Sequence, residues 1–297
     1  MNRPMKWPGQ QAGVALVVVM WLSVLLAIVV GSFAIVARTE NLQARHLFDT
    51  TRATYAAEAG LHRAVFELRN PDIESRWFAD GRTYTVTFGD AAVEVQVTDE
   101  TGKIDINVAD EFVLGALFDS VGVEETERDL LVDAILDWRD PDDLVRLNGA
   151  EDDDYEAAEY PYGAKDALFD TVTELQQVMG MSYELFVQVE PAITVYTGRA
   201  RPDAAFAPRE VLMTFEGMSP ELADDYIQQR EQIEEYGVPL PVLPDGTEAV
   251  ARAGSFTYSI RSKATLPNGA WSVLEATVRP GGALQGRPFR IIRWKDS

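Results

Sequence analysis

The chain has 297 residues and sets 26 Lys+Arg against 48 Asp+Glu, a net charge of −22. That balance favours solubility and argues against binding to nucleic-acid backbones or anionic lipid. It has no cysteine, which excludes disulfides and thiol chemistry and leaves the redox state of its compartment unreadable.

Residues 1–13, MNRPMKWPGQQAG, are short and polar, with Arg3, Lys6 and no acid. Val14–Ala37 follows, 24 residues without a charge. As a helix it spans about 36 Å, enough to cross a hydrocarbon core of roughly 30 Å. A cleaved secretory signal would have a shorter apolar core followed by a small-residue site. Here the small residue, Gly13, precedes the core. Beyond Ala37, Leu42, Leu47, Phe48, Tyr55, Ala56, Ala59, Leu61, Val65 and Leu68 recur at helical spacings between charges. No proline interrupts before Pro71. One long helix is expected to about residue 69, apolar all round in its first half and amphipathic in its second.

A short basic leader ending in glycine, then a long apolar helix running into a globular head, resembles the type IV pilins and pseudopilins. The resemblance implies cleavage by a prepilin peptidase between Gly13 and Val14. It also implies an inner-membrane, single-pass location with the bulk of the chain in the periplasm. The fifth residue after Gly13, usually glutamate in that family, is Val18. A buried glutamate is kept only where a partner meets it; a subunit at a filament tip has no subunit ahead. Its absence resembles the K-type minor pseudopilin of type II secretion systems.

After Pro71, Arg82–Phe88 and Ala92–Thr98 alternate apolar and polar residues across Gly89–Asp90 and read as a hairpin, with Lys103–Val108 as a third extended piece. Residues 70–108 are thus expected to form the first part of a pilin-like sheet. From 109 to 236 the pattern turns helical. Three stretches echo one another, through Gly122-Val123-Glu124, Gly180-Met181-Ser182 and Gly217-Met218-Ser219, each between two helical segments. Such helix–hairpin–helix-like units often bind DNA, but Asp99–Glu159 holds 21 acids and 4 bases. Nucleic acid is therefore not an expected partner. Residues 237–297 contain a Pro/Gly-rich return loop and three more strands, Phe256–Thr265, Ala270–Val278 and Phe289–Trp294. The fold class expected is α+β: a pilin-like antiparallel sheet behind a long transmembrane helix, divided by a large all-α insert.

The stretch after Asp137 strengthens the resemblance to K-type pseudopilins. Asp137, Trp138, Asp140, Gly149, Ala150, Glu151, Asp152, Tyr155, Pro161, Tyr162, Glu174, Leu175, Gly180 and Met181 stand in that family's order, and Gly102–Asp110 (GKIDINVAD) resembles its entry to the helical insert. The resemblance implies I- and J-type minor pseudopilins as partners. It also implies calcium near this loop, with Asp137, Asp140, Asp142, Glu151, Asp152, Asp153 and Asp154 as candidate ligands. Calcium takes 6–8 oxygen ligands, and so many like charges repel without a cation. The other reading is a solvated acidic surface; the spacing fits no EF-hand.

No catalytic motif is present, and His46 and His62 fall among charges on the long helix. The function expected is a non-enzymatic minor pseudopilin that starts or caps the pseudopilus. The alternatives are a minor pilin of a type IV pilus and an uncleaved, membrane-anchored periplasmic binding protein.

Overall fold

A computed structural model describes residues 12–252, 256–281 and 289–296. The leader residues 1–11 lie outside that range. Two compact units are distinguished, Met1–Arg52 and Ala53–Ser297. The first helix, α1, runs Ala12–Leu68 and is the one described helix long and apolar enough to cross a membrane. Gly13 and Val14 lie in its first turn, and Val18 is exposed one turn on. Ser23 and Ser32 return their hydroxyls to the carbonyls of Val19 and Val29, so both hydroxyls are paired within an apolar run.

In the second unit, α1 presents a stripe of mostly small residues, Ala53, Ala56, Ala57, Leu61, Ala64 and Val65, all buried. They pack on Val93, Val95, Ile260, Leu274 and Val278 of a five-stranded sheet. The strands are β1 (Asp80–Phe88), β2 (Ala91–Asp99), β5 (Tyr258–Thr265), β6 (Trp271–Pro280) and β7 (Phe289–Asp296), in the order β1-β2-β5-β6-β7 and antiparallel throughout. Gly60 lets the helix approach this closely, because a Cβ there would collide with Ser262 Oγ. Strand alternation sends Arg261, Lys263, Arg293 and Lys295 to the opposite face.

Between β2 and β5 lie β3 (Ile104–Asp105), α2 (Glu111–Ser120), α3 (Glu125–Arg139), α4 (Asp152–Ala157), α5 (Tyr183–Val189), β4 (Ile193–Thr194), α6 (Arg209–Leu212) and α7 (Pro220–Glu231). They enclose a second core around Leu117, Phe118, Ile135, Trp138, Tyr155 and Leu175. The extended piece expected over Lys103–Val108 is shorter than its sequence suggests and does not extend the sheet. Only Ile104–Asp105 is extended, and it pairs in parallel with Ile193–Thr194. The cause is Asp105. Its buried carboxylate accepts from the backbone of Asn107, Thr197 and Gly198, which curls the chain away from the sheet.

The hairpin signals are realised as turns: Gly122, Gly180 and Gly217 all have positive φ. Ser182 and Ser219 then cap α5 and α7 by accepting from Leu185 and Leu222. Short helices of this kind are marginal alone. Buried polar joints hold them. Arg230 of α7, 2% exposed, donates to the carbonyls of Asp80, Ala204 and Ala207. Glu100 accepts from Ser259 and Lys103, and Glu190 from Arg293 of β7.

Candidate functional site

The acidic loop is built outward from α3. Its last turn carries Asp137, fully buried, and Trp138, which packs against Tyr155, Tyr162 and Phe169. Asp137 Oδ2 accepts from the backbone N–H of Arg146 at 3.1 Å, so the chain returns over the helix end. Gly149 passes directly against that carboxylate, and a Cβ there would collide with it; Gly163 stands in the same relation to Asp152. Glu151 begins α4 and forms a reciprocal cap with Asp154, whose Oδ2 accepts from the Glu151 N–H at 3.1 Å. Tyr155 closes the arrangement, its hydroxyl accepting from Met179 N at 2.9 Å. The family-like residues Asp137, Trp138, Gly149, Glu151 and Tyr155 thus hold the loop's shape.

Four carboxylate oxygens here are buried without a hydrogen-bond partner: Asp137 Oδ1, Asp140 Oδ1, Glu151 Oε1 and Asp166 Oδ1. Asp137 Oδ1 has the Arg146 guanidinium 3.1 Å away as an ion pair only. Burial, then the charges of Asp137, Asp166, Asp140 and Asp143, push Glu151 up to about 7. Asp137 and Asp166 are also raised, by burial first and by neighbouring carboxylates. Orphaned acceptors that repel one another are the donor set a hard cation takes, so the residues fit calcium chemically. Among the described residues, however, no three acidic or histidine side chains are gathered closely enough to enclose a metal ion.

Of the seven candidate ligands, Asp137, Asp140 and Glu151 belong to this set of orphaned oxygens. Asp152 lies beside it against Gly163 and helps raise Asp166. Asp142 turns outward and accepts from Leu144 N, Asp153 is exposed on α4, and Asp154 is used in the cap. Asp166 is absent from the sequence-derived set. It lies in left-handed backbone with φ 53°, twelve residues past the last of those candidates, and no spacing announced it.

Residues 95–198 match the family model described as type II secretion system (T2SS), protein K. Type II secretion system protein K of Pectobacterium carotovorum subsp. carotovorum is 31% identical over 81 residues, covering 27% of this chain and 25% of that protein. The Klebsiella pneumoniae protein K is 24% identical over 207 residues, 62% of each chain, and a putative protein K of Escherichia coli K12 is 23% identical over 206 residues, 63% of each. The matches therefore span less than two thirds of these relatives' length. A chain of the crystal structure of the GspK-GspI-GspJ complex from enterotoxigenic Escherichia coli superposes with a TM-score of 0.56 at 16% identity, covering 88% of this chain and 99% of that one. The likeness carries the pilin-like α+β fold. The family model falls on the strand that enters the insert, the acidic loop and the first two glycine hairpins, and over those residues this chain is similar to type II secretion system protein K.

Proposed function

We propose that the chain is a minor pseudopilin placed at the tip of a periplasmic pseudopilus, where it initiates or caps assembly for protein export across the outer membrane. The observation that carries this reading is the K-type match over 95–198 on an insert set into a pilin-like sheet behind one apolar helix. In this reading a prepilin peptidase cuts between Gly13 and Val14, and α1 anchors the protein in the inner membrane until it packs in the filament core. Val18 then needs no partner because no subunit lies ahead. The I- and J-type minor pseudopilins are the partners, and the role is structural, without catalysis. Gly31 has open space around it, suited to close approach by a neighbouring helix.

We also assign a structural calcium ion to Asp137, Asp140, Glu151 and Asp166. It would supply the positive charge that these carboxylates lack, and so hold the crossing from α3 to α4.

Two measurements test the assembly reading. The intact mass of the extracted chain, made with and without a prepilin peptidase, should drop by residues 1–13 only when the peptidase is present. The detergent-solubilised chain should co-purify with I- and J-type subunits as single copies. Detection of the chain repeatedly along pseudopili would sink the tip assignment, and an uncut chain in both samples would reduce α1 to an ordinary anchor.

A further inference from the structure

The loop between α3 and Gly149 holds three large aliphatic side chains out in solvent. Leu144 is 76% exposed, Val145 55% and Leu147 94%. A loop this apolar is expected to fold back onto the nearest core. Hydrogen bonds to α3 prevent it. Asp137 accepts from Arg146 N, and Asp133 Oδ2 accepts from both the backbone N–H and the side-chain amide of Asn148, each at 3.0 Å. Leu147 is thus flanked on both sides by fixed residues. It is a mounted prong, not a slack loop.

Beneath it lies a groove of about 740 Å³ between α2 and α3. Its apolar lining comes from Phe112, 75% exposed, with Val132 and Leu147. Its acids include Glu111, Asp129 and Asp133. The cations beside it are engaged: Arg128 pairs with Asp119 and Asp129, and Arg146 pairs with Asp137 and Asp140. The groove is therefore apolar along its floor and lip and negative at its rim. Contiguous exposed apolar area with a polar rim is the mark of an interaction surface.

We infer that this groove and the Leu144–Leu147 prong dock a cationic amphipathic helical segment of another protein. An apolar ridge would cover Phe112 and Leu147, and lysine or arginine flanks would meet Glu111 and Asp133. The inference does not rest on the tip assignment.

The test uses the full chain in zwitterionic lipid nanodiscs at near-physiological salt. The probe is a labelled amphipathic Leu/Lys peptide of helical periodicity, read by fluorescence anisotropy against empty discs. The comparison is the double variant Leu147→Ser, Phe112→Ser, which leaves the net charge unchanged. Both side chains are exposed, so thermal melting should match the wild type and report an intact fold. Saturable binding weakened about tenfold in the variant is expected, with little binding of a Leu/Glu peptide. A loss below fivefold would reduce the attraction to bulk charge and overturn the proposal. So would equal binding of the Leu/Glu peptide, or no binding above empty discs. Self-association of the chain that disappears in the variant would give the groove to a second copy and also overturn it. None of these outcomes bears on leader cleavage or filament position.

Discussion

The sheet and the insert solve the same problem in different ways. Every strand of the sheet is held by an antiparallel backbone ladder, interrupted only at Asp80/Thr83 and Thr277/Val278, and burial along β2 alternates with the pleat. On its outer face Arg261, Lys263 and Lys295 are set against Glu94 and Glu275, while Arg293 reaches Glu190 of the insert; its buried acids, Asp80 and Asp99, sit at strand ends. The insert has no such ladder. Three of its helices have 6, 7 and 4 residues. It is pinned by side chains that bond to backbone, Asp105, Asp137 and Arg230 buried and Asn107 and Glu174 half-buried. Side chains that fix irregular backbone must sit inside, and most of these are acidic. The insert therefore gathers carboxylates in a cluster where water cannot screen them, whereas the sheet buries carboxylates only at the strand ends, at Asp80 and Asp99.

The largest effect is expected where the two regions join. Arg230→Met removes donors from three buried carbonyls and a cation from beside Asp80, whose Oδ2 lies 3.9 Å from Arg230 Nε. Breaking one side of a buried charged arrangement costs about 3–5 kcal/mol. A melting temperature lower by roughly 10 °C follows, at about 2–4 °C per kcal/mol for a unit of this size. Two separate melting transitions in the variant would show that sheet and insert are coupled chiefly through this residue. An unchanged melt would refute the joint. Next come the close approaches. Gly60→Ala drives a methyl into Ser262 and Val93, and Gly149→Ala drives one into Asp137. Each is expected to cost about 1–3 kcal/mol by overpacking. Only the second should also alter the response to calcium.

Legibility followed the same division. The helix end before Pro71, the hairpin across Gly89–Asp90, the Asn268-Gly269 turn and the serine caps at 182 and 219 were all readable, because each depends on local backbone preferences. The β3 segment was misjudged: its alternation reads as a strand, but whether Asp105 points to solvent or inward to bind Thr197 and Gly198 is a long-range matter. The acidic loop was legible as composition and as a family-like order of residues, but not as geometry. Nothing local separates Asp142 and Asp153, which are exposed, from Asp140, Glu151 and Asp166, whose orphaned oxygens are buried. The apolar prong at Leu147 was missed because LVRL between acids looks like core sequence until its hydrogen bonds to α3 are seen.

The third prediction separates the regions by pH. Glu151 titrates at about 7 in the fold against an ordinary 4.5. The folded state therefore holds this proton more tightly than the unfolded chain does. Stability from this group is intact below about 4.5, declines as pH rises toward 7 and is flat above. In chelator, wild-type melting should fall relative to Glu151→Gln across that window. Millimolar calcium should restore it at pH 8 and do little at pH 5, with magnesium less effective. Parallel profiles for the two proteins would remove Glu151 as the source. No calcium shift at pH 8 would remove the ion.

The smallest effect belongs to the sheet's outer face. Lys263 and Glu94 are direct cross-strand partners, with Nζ 3.9 Å from Oε2 and both side chains substantially exposed. Such a pair gains little in water and is screened by salt. Glu94→Gln should shift stability by no more than about 0.5 kcal/mol, less at high salt. Glutamate here and glutamate at 151 are the same residue with opposite consequences, because one has solvent on its open side and the other has Asp137, Asp140 and Asp166. If Glu94→Gln cost as much as the glycine variants, the outer-face charges would act as one network through Glu275, which faces both Arg261 and Lys295. The contrast between a screened sheet and an unscreened insert would then have to be redrawn around geometry instead of burial.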